Sequence, residues 1–588
     1  MNIGTSLYRR DNFTLHMFLL PKTVKGHRYY YIVSSRRRDN RPVPETLLYL
    51  GRLDGLSGRE VAGKRTEVKA LGDALLAMEF ETLLVRLGYP PPPPSLQEMD
   101  VTRVRSYGPE LALYRVAEEL SLIELIDRTG RKGGGPSLGK MAFSLAAYAN
   151  MYHGSMFRFV KWYERSPLPI FLDMPPAQVT YDASLNTLDY LQPERTGKME
   201  RELYSAITKR FGYGCGRIDI DSSPVELSGE LCRVIARFGR SKNGGTGKRR
   251  QILITFMLDQ KSILLGHEVF PGNRNDAKTL KRVNGRLKDY SVPDAPRVVD
   301  RGYASMKNIS TWKRRKEHFL AALKSKPKGL RLLDKLGPHT GWKVIGEGVY
   351  ASSLIRDGLK WIVTWNDDVA RRNGDGRRAR VENASKELDA LLASIKTGRV
   401  KSRSDRDRRI GAILRRHRVS RLISVRGERK GMGFTHTVKD ADGNAGYQVY
   451  ATTETSLSER DVVDAYRARD RVEKAIRTMK SCLGLGPVWV TKKEHVLGFV
   501  YIHALAYQLR SVMSLMLGEA HIDMSIDEAL WELERLNAVE FVVGGNEIAV
   551  MRRLTAVDGV VNTLAQVFSF ASDEGYPGIS SGVRKQGI

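Results

Sequence analysis

The chain has 588 residues, 41% hydrophobic and 28% charged, a balance that describes folded globular domains, two to four at this length, and excludes a disordered polymer. With 96 Lys and Arg against 66 Asp and Glu, the formal net charge is +30, which selects a polyanionic partner, nucleic acid ahead of an anionic membrane surface. Three cysteines without CxxC spacing, Cys215, Cys232 and Cys482, exclude a zinc ribbon and a disulfide framework and point to a reducing compartment.

The opening residues, MNIGTSLYRRDNF, lack the apolar core of a signal peptide. Short apolar and aromatic runs (FTLHMFLL, RYYYIVSS, ETLLYLGRL) then predict a small β region over residues 1–58, with basic turns around Arg36–Arg38 and Arg41. Residues 59–210 read as helical: DALLAMEFETLLVRL, then PELALYRVAEELSLIELI and LGKMAFSLAAYANMY, interrupted by the stiff run Pro90–Pro94 and by the glycines at 130–135. From 211 the pattern changes to strands: GRIDIDSSPVEL, QILITFMLD and SILLGHEVF, a helix at 275–287, and the strand RVVD ending at Asp300. Antiparallel strands, a helix and a further strand are the order of a ribonuclease-H-like core. Its first part is expected over 211–325, with a helix around 306–323 and the remaining strand at 359–365.

Residues 326–458 read as an insertion. Within 396–430 it carries fourteen Lys or Arg against three acids, expected to form a positively charged groove wall. Paired aromatic strands are expected at GFTHTV and GYQVYATT around the turn 441–444. The last part of the core is expected over 459–517, and a helical tail over 518–588. The apolar run Val496–Leu509 is too short and too mixed to span a bilayer and reads as a buried helix, so no membrane partner is expected.

The stretch DAYRARDRVEKAIRTMKS, Asp464–Ser481, has no Gly or Pro and reads as one helix with Asp461 as N-cap. Tyr466, Arg469, Glu473 and Lys480 lie three, seven and fourteen residues apart from the first, so at about 100° per residue they share one face. On spacing alone, a salt-bridged solvent face accounts for the same pattern. Two acids upstream shift the reading. Asp300 terminates an apolar strand, and either Asp219 or Asp221 lies on the first strand of the core, since IDID puts both on one face. Two acids on strand ends and Glu473 on a helix packed against them provide three hard oxygen donors, suited to divalent ions such as Mg²⁺ rather than zinc.

These residues resemble the DDE transposases of bacterial insertion sequences, the cut-and-paste group whose glutamate helix carries a Tyr-Arg-Glu-Lys signature with two, three and six intervening residues. Tyr466, Arg469, Glu473 and Lys480 match all three gaps. The family's first aspartate precedes a hydroxyl residue two positions on, as Asp221 precedes Ser223 and Asp219 does not. Its second is followed by Arg-Gly, as Asp300 is by Arg301 and Gly302. GHEVFPGNRNDAKTL, GRSKNG, LGLGPVWVTKKEHVLGFVYIHALA and YLGRLD are also similar to family segments, while Gly486 stands where the family usually carries arginine.

The resemblance implies a multidomain α/β chain. A ribonuclease-H-like catalytic core is interrupted by a basic, strand-containing insertion and preceded by a small β region and a helical DNA-binding region. It implies Asp221, Asp300 and Glu473 as catalytic ligands of two Mg²⁺ ions, with Mn²⁺ as a substitute. Tyr466, Arg469, Lys480, Arg301 and Lys242 would contact DNA, and Trp342, Trp361 or Trp365 would stack on a flipped base. The implied activity is binding of terminal inverted repeats in double-stranded DNA, hydrolysis at each transposon end and strand transfer into target DNA. A dimer or larger assembly on DNA, in the bacterial cytoplasm near the nucleoid, would carry it out. The rival readings are a nuclease or recombinase on the same fold without strand transfer, and a catalytically inactive, domesticated DNA-binding protein.

Overall fold

In the computed structural model, Met17–Val24 (β1), His27–Arg38 (β2) and Arg41–Gly51 (β3) form an antiparallel meander. Its first hairpin closes through Lys25-Gly26, both at positive φ, as a two-residue loop between right-twisted strands requires. The structure describes residues 17–38, 41–89, 99–152, 154–228, 232–239, 249–290, 292, 295–323, 336, 339–400, 402–428, 431–439, 446–543, 549–555, 559–570 and 584–585. Pro90–Pro94, Lys242 and the turn 441–444 therefore lie outside the described residues.

The chain divides into two compact units, residues 1–102 with 540–551 and 581–588, and residues 103–539 with 552–580. In the first, helices Gly58–Lys69, opened by a Ser57–Glu60 capping box, and Ala74–Arg86 share one core with the meander. Ile32, Leu50 and Leu53 of the sheet region are buried with Val61, Val68, Phe80 and Leu84. No boundary at residue 58 separates these elements, because the sheet and the helices bury apolar faces against each other.

After Met99–Ser106 (β4), seven α-helices lie among the described residues of 108–210, from Gly108–Glu119 to Pro193–Arg210. They are not a separate helical region: their buried residues belong to the same hydrophobic core as the central sheet. The helix Lys493–Glu519 lies in this core. By length and apolar composition it is able to cross a membrane, longer than its sequence run suggests, but 89% of its apolar window is buried inside the protein. Its polar residues have partners there. Gln508 accepts from the Leu264 N–H at 2.9 Å and donates to its carbonyl at 3.2 Å, and His503 Nδ1 lies 2.8 Å from the Phe499 carbonyl. A Cβ at Gly498 would stand 2.5 Å from the Leu188 carbonyl oxygen, so only glycine permits this helix crossing.

The central sheet has ten strands: Ile218–Glu226 (β5), Arg237–Phe238 (β6), Arg250–Asp259 (β7), Leu264–Pro271 (β8), Arg297–Val299 (β9), Phe319–Leu323 (β10), Lys343–Gly346 (β11), Val349–Arg356 (β12), Leu359–Asn366 (β13) and Tyr447–Thr452 (β16). Their order is β11-β12-β13-β16-β10-β9-β5-β7-β6, with β8 on the far side of β7. The ladder is antiparallel except at β5–β9 and β9–β10, which are parallel. The helix expected over 306–323 stops at Arg314. Lys316 turns at positive φ, and FLAAL becomes β10, buried on both faces as a central strand must be.

The basic part of the expected insertion has its own core. Helices Asp367–Lys396 and Arg403–Arg416 enclose Ala384, Leu388, Ile410 and Ile413 with the hairpin Ile423–Gly427 (β14) and Phe434–Val438 (β15). β15 thus pairs with β14 and not, as the sequence suggests, with β16, whose Tyr450 and Ala451 are buried in the central sheet. The tail is not wholly helical either. Between helices Ile526–Leu533 and Gly559–Val567 it forms Asn537–Val543 (β17) and Ala549–Leu554 (β18), where β-branched residues favour strand.

Candidate active site

The parallel register of β5 and β9 pairs Ile218 with Arg297, Asp219 with Val298 and Ile220 with Val299. The next rung brings Asp221 beside Asp300, the first residue past the end of β9, so two acids 79 residues apart meet at one sheet position. Gly302 allows the turn after Asp300 to lie close to the helix that follows β8, since a Cβ there would be 2.7 Å from Asp276 Oδ2. Asp219, one turn of the pleat below Asp221, is fully buried and paired with Arg217 at 2.8 Å. Burial pushes its carboxyl up to about 6, against the pull of Arg217.

The stretch 464–481 is not one helix. Glu459–Arg467 starts at Ser458, which forms a capping box with Asp461, so Asp461 is the third helical residue and not the cap. Asp470–Arg477 follows after a break at Ala468-Arg469, and Thr478–Cys482 widens into a π-turn. The breaks redirect side chains that a straight helix would keep on one face. Arg469 turns towards the sheet and touches all three acids: Nη1 lies 3.3 Å from Asp221 Oδ2, and Nη2 lies 3.8 Å from Asp300 Oδ1 and 2.7 Å from Glu473 Oε1. Its side chain is 10% exposed, while Asp300 and Glu473 remain 40% and 48% exposed. Burial disfavours the guanidinium charge, but Asp221 and the other acids outweigh it and hold the group above its ordinary range.

Tyr466 donates its hydroxyl to Asp300 Oδ1 at 3.1 Å and packs edge-on against Tyr450. Burial first, then the Asp300 carboxylate, raise its phenol above the usual range. Lys480 diverges from the other three. From the π-turn its ammonium reaches the Ser223 hydroxyl at 3.4 Å and the Pro224 carbonyl at 3.1 Å, beyond Asp221 on the same strand.

Beside the acids runs an open cleft of about 610 Å³ lined by Arg301, Arg377, Arg380, Arg467 and Arg469, with Glu473 at its edge. Arg377, Arg380 and Asn373 come from one face of the helix Asp367–Lys396, at spacings of four and seven residues. That periodicity is present in the sequence, beside the denser charge at 396–430. No described residue of 396–430 lines the cleft, whose arginines from the insertion, Arg377 and Arg380, come earlier than expected. None of the three tryptophans lines it either. Trp342, Trp361 and Trp365 cluster with Val363 and Val449, on the face of β13 opposite Ile362, which packs with Val462, Val463 and Tyr466. Trp342 donates to the Leu336 carbonyl at 3.2 Å, and Trp365 stacks on His339 and donates to Asp367 Oδ1 at 2.7 Å. Trp342 is buried, and Trp361 and Trp365 are half-buried against the same cluster.

No match is found among curated proteins. The solved structures that resemble the chain include a cryo-EM structure of the piggyBac transposase synaptic complex with hairpin DNA, at 10% identity and a TM-score of 0.36, over 73% of this chain and 80% of that one. Residues 216–509, half of the chain, match the transposase DDE domain family, and that span contains Asp221, Asp300 and Glu473 together with the whole central sheet. The chain therefore belongs to the DDE transposases.

Proposed function

We propose that the chain is the cut-and-paste transposase of a bacterial insertion sequence, cleaving transposon ends and joining them to target DNA, with Asp221, Asp300 and Glu473 as its metal-binding triad. The observation that carries this reading is the convergence of those three carboxylates on the Arg469 guanidinium at the edge of an arginine-lined cleft. The ribonuclease-H-like description of the core draws support from β5, β7 and β8 in antiparallel succession, with β9 and β10 parallel to β5.

The donor set fits hard divalent ions: three carboxylates, no histidine or cysteine, and one cationic group already among them. Among the described residues no three ligating side chains stand close enough to enclose an ion without rearrangement. Two Mg²⁺ ions, with Mn²⁺ as a substitute, would supply an activated oxygen nucleophile and neutralise the leaving oxygen. The protein's own groups do the rest. Parallel strands fix Asp221 and Asp300 side by side, and Tyr466 orients Asp300 through its hydroxyl. Arg301, Arg377, Arg380 and Arg467 bind backbone phosphates along the cleft by charge-assisted hydrogen bonds. Lys480, steadied by Ser223, holds a charge beyond Asp221 for a phosphate next to the scissile bond. With a net charge of +30, DNA affinity falls steeply with salt. Pairing two inverted-repeat ends for joining calls for at least a dimer on DNA.

The test is a Mg²⁺-dependent assay with labelled duplexes carrying the inverted repeats that flank the gene, plus a supercoiled target. Cleaved ends that become joined to the target support the transposase reading. Cleavage without joining favours a nuclease, and binding without cleavage favours an inactive DNA-binding protein.

A further inference from the structure

Arg469 holds a place unusual for a phosphate-binding arginine. Its guanidinium contacts three carboxylates at once, within 3.8 Å of each. It is not tied down by hydrogen bonds in every direction: Nε and Nη1 are buried without a hydrogen-bond partner, and the Nη1 contact with Asp221 is an ion pair only. The side chain springs from the break between two helices and packs over the Tyr466 ring, with its charged carbon 5.5 Å from the ring centre. On its open side is the cleft whose other arginines attract phosphate. A guanidinium held by charge rather than by a full set of hydrogen bonds, with an anion-attracting cleft beside it, has two alternative partners.

We infer that Arg469 is the counter-ion of the acid triad in the DNA-free protein, and that a DNA phosphate and the divalent ions bind cooperatively because the phosphate draws Arg469 off the carboxylates. This rests on the triad being the metal site, as proposed above. Without DNA, Arg469 screens Asp221, Asp300 and Glu473 from one another and competes with a metal ion for the same oxygens. When a phosphate enters the cleft, the guanidinium exchanges a carboxylate for a phosphate oxygen, and the three acids gain affinity for cations. Reciprocity follows from linkage: bound metal strengthens phosphate binding by the factor with which phosphate strengthens metal binding. The protein would then avoid loading a hydrolytic site before DNA is in place.

Mn²⁺ binding to the full chain, read from the EPR signal of the free ion, tests this with and without a short duplex, after subtracting Mn²⁺ held by the duplex alone. The wild-type protein is expected to bind Mn²⁺ about tenfold or more tightly with DNA than without, within the usual range of coupling between two ligands. Arg469→Gln is expected to bind Mn²⁺ tightly without DNA and to gain little from it. Arg469→Lys, which keeps a charge but cannot span three carboxylates, should fall between and serves if the glutamine variant does not fold. Glu473→Gln and Asp300→Asn report on the metal site itself. If they weaken Mn²⁺ binding while the Arg469 variants bind no more tightly than wild type, the counter-ion role is wrong and the metal site stands. If neither acid variant changes Mn²⁺ binding, the metal-site reading fails and the inference goes with it.

Discussion

Arg286 and Arg469 both sit among carboxylates, and their surroundings differ. Arg286 pairs with Glu200 and, at 3.1 Å, with Glu268. Glu268 also meets Arg282, and Glu200 lies 2.6 Å from His267 Nδ1. Both acids are 6% exposed, and burial alone would neutralise Glu200, yet Arg286 and His267 hold it below the usual carboxylate range. Arg469 faces three acids, of which Asp300 and Glu473 are 40% and 48% exposed and Glu473 lines the cleft. A dry, charge-balanced cluster has nothing left to bind and fixes the packing of helices on β8. A wet cluster, with carboxylates open to solvent, can still take up cations. Exposure, more than the presence of an ion pair, separates the two roles.

The largest expected effect tests the dry side of this contrast. Arg286→Met leaves Glu200 and Glu268 buried with too little positive charge and should cost about 3–5 kcal/mol, read as a fall in Tm, with Mn²⁺ binding unaltered. Arg469→Met, with Asp300 and Glu473 able to hydrate, should cost less than about 2 kcal/mol. Equal losses would break the contrast. On the wet side, Glu473→Gln should reduce end cleavage by at least about 10²-fold, on the order of a lost transition-state electrostatic contact. Its Tm should stay within about 0.5 kcal/mol of wild type in stability, because the side chain is 48% exposed.

The difference between the two clusters was only partly legible in the sequence. The wet one was, because its residues fall at short, regular positions: an acid ending an apolar strand, a hydroxyl two residues after another acid, and a four-residue pattern on a helix. Asp221 and Asp300 meet because β5 and β9 are parallel neighbours. What no spacing revealed was the break at Ala468-Arg469, where Arg469 faces the acids, and the π-turn at Thr478–Cys482, from which Lys480 reaches Ser223. The sequence there is all good helix formers, so the break is a tertiary effect of packing on the sheet. The dry cluster was invisible, since Glu200, His267, Glu268 and Arg286 come from three elements with no common period. Trp361 and Trp365, four residues apart on β13, share one side of the strand, and which side faces the cleft depends on where Glu459–Arg467 packs. FLAAL fits helix and strand equally at five residues, and only its place between β9 and β16 decides it.

A third buried acid sharpens the contrast by lacking a cation. Glu110 is 2% exposed and accepts a hydrogen bond from the Ser106 hydroxyl at 3.1 Å; burial pushes its carboxyl up to about 7. Below pH 4.5 the folded and unfolded chains both hold this proton. Between pH 4.5 and 7 the unfolded chain releases it and the folded chain does not, so stability falls as pH rises through that window. Glu110→Gln should remove about 2–3 kcal/mol of that fall and flatten the Tm profile between pH 4.5 and 7.5. An unchanged profile would mean that Glu110 finds a counter-charge after all and belongs with the dry, paired acids.

The smallest effect compares tyrosines bound to acids on the two sides. Tyr213 donates to Asp259 Oδ2 at 2.8 Å, and Asp259 Oδ1 also receives the N–H groups of Lys261 and Ile263 at 2.8 and 2.9 Å, closing the β7–β8 turn in a fully buried position. Tyr466 donates to Asp300, whose carboxylate is 40% exposed. Tyr213→Phe leaves a buried carboxylate one donor short and should destabilise the protein by about 1.5–3 kcal/mol with cleavage per folded molecule unchanged. Tyr466→Phe keeps its ring against Tyr450 and lets water replace the hydroxyl, so stability should move by only about 0.5–1 kcal/mol. Its effect should appear in cleavage, as a loss of up to about tenfold with a raised Mn²⁺ requirement, because Asp300 loses the donor that orients it. If Tyr466→Phe destabilises as much as Tyr213→Phe and cleaves normally, Tyr466 is a packing residue and the wet cluster extends no further than Arg469 and the three acids.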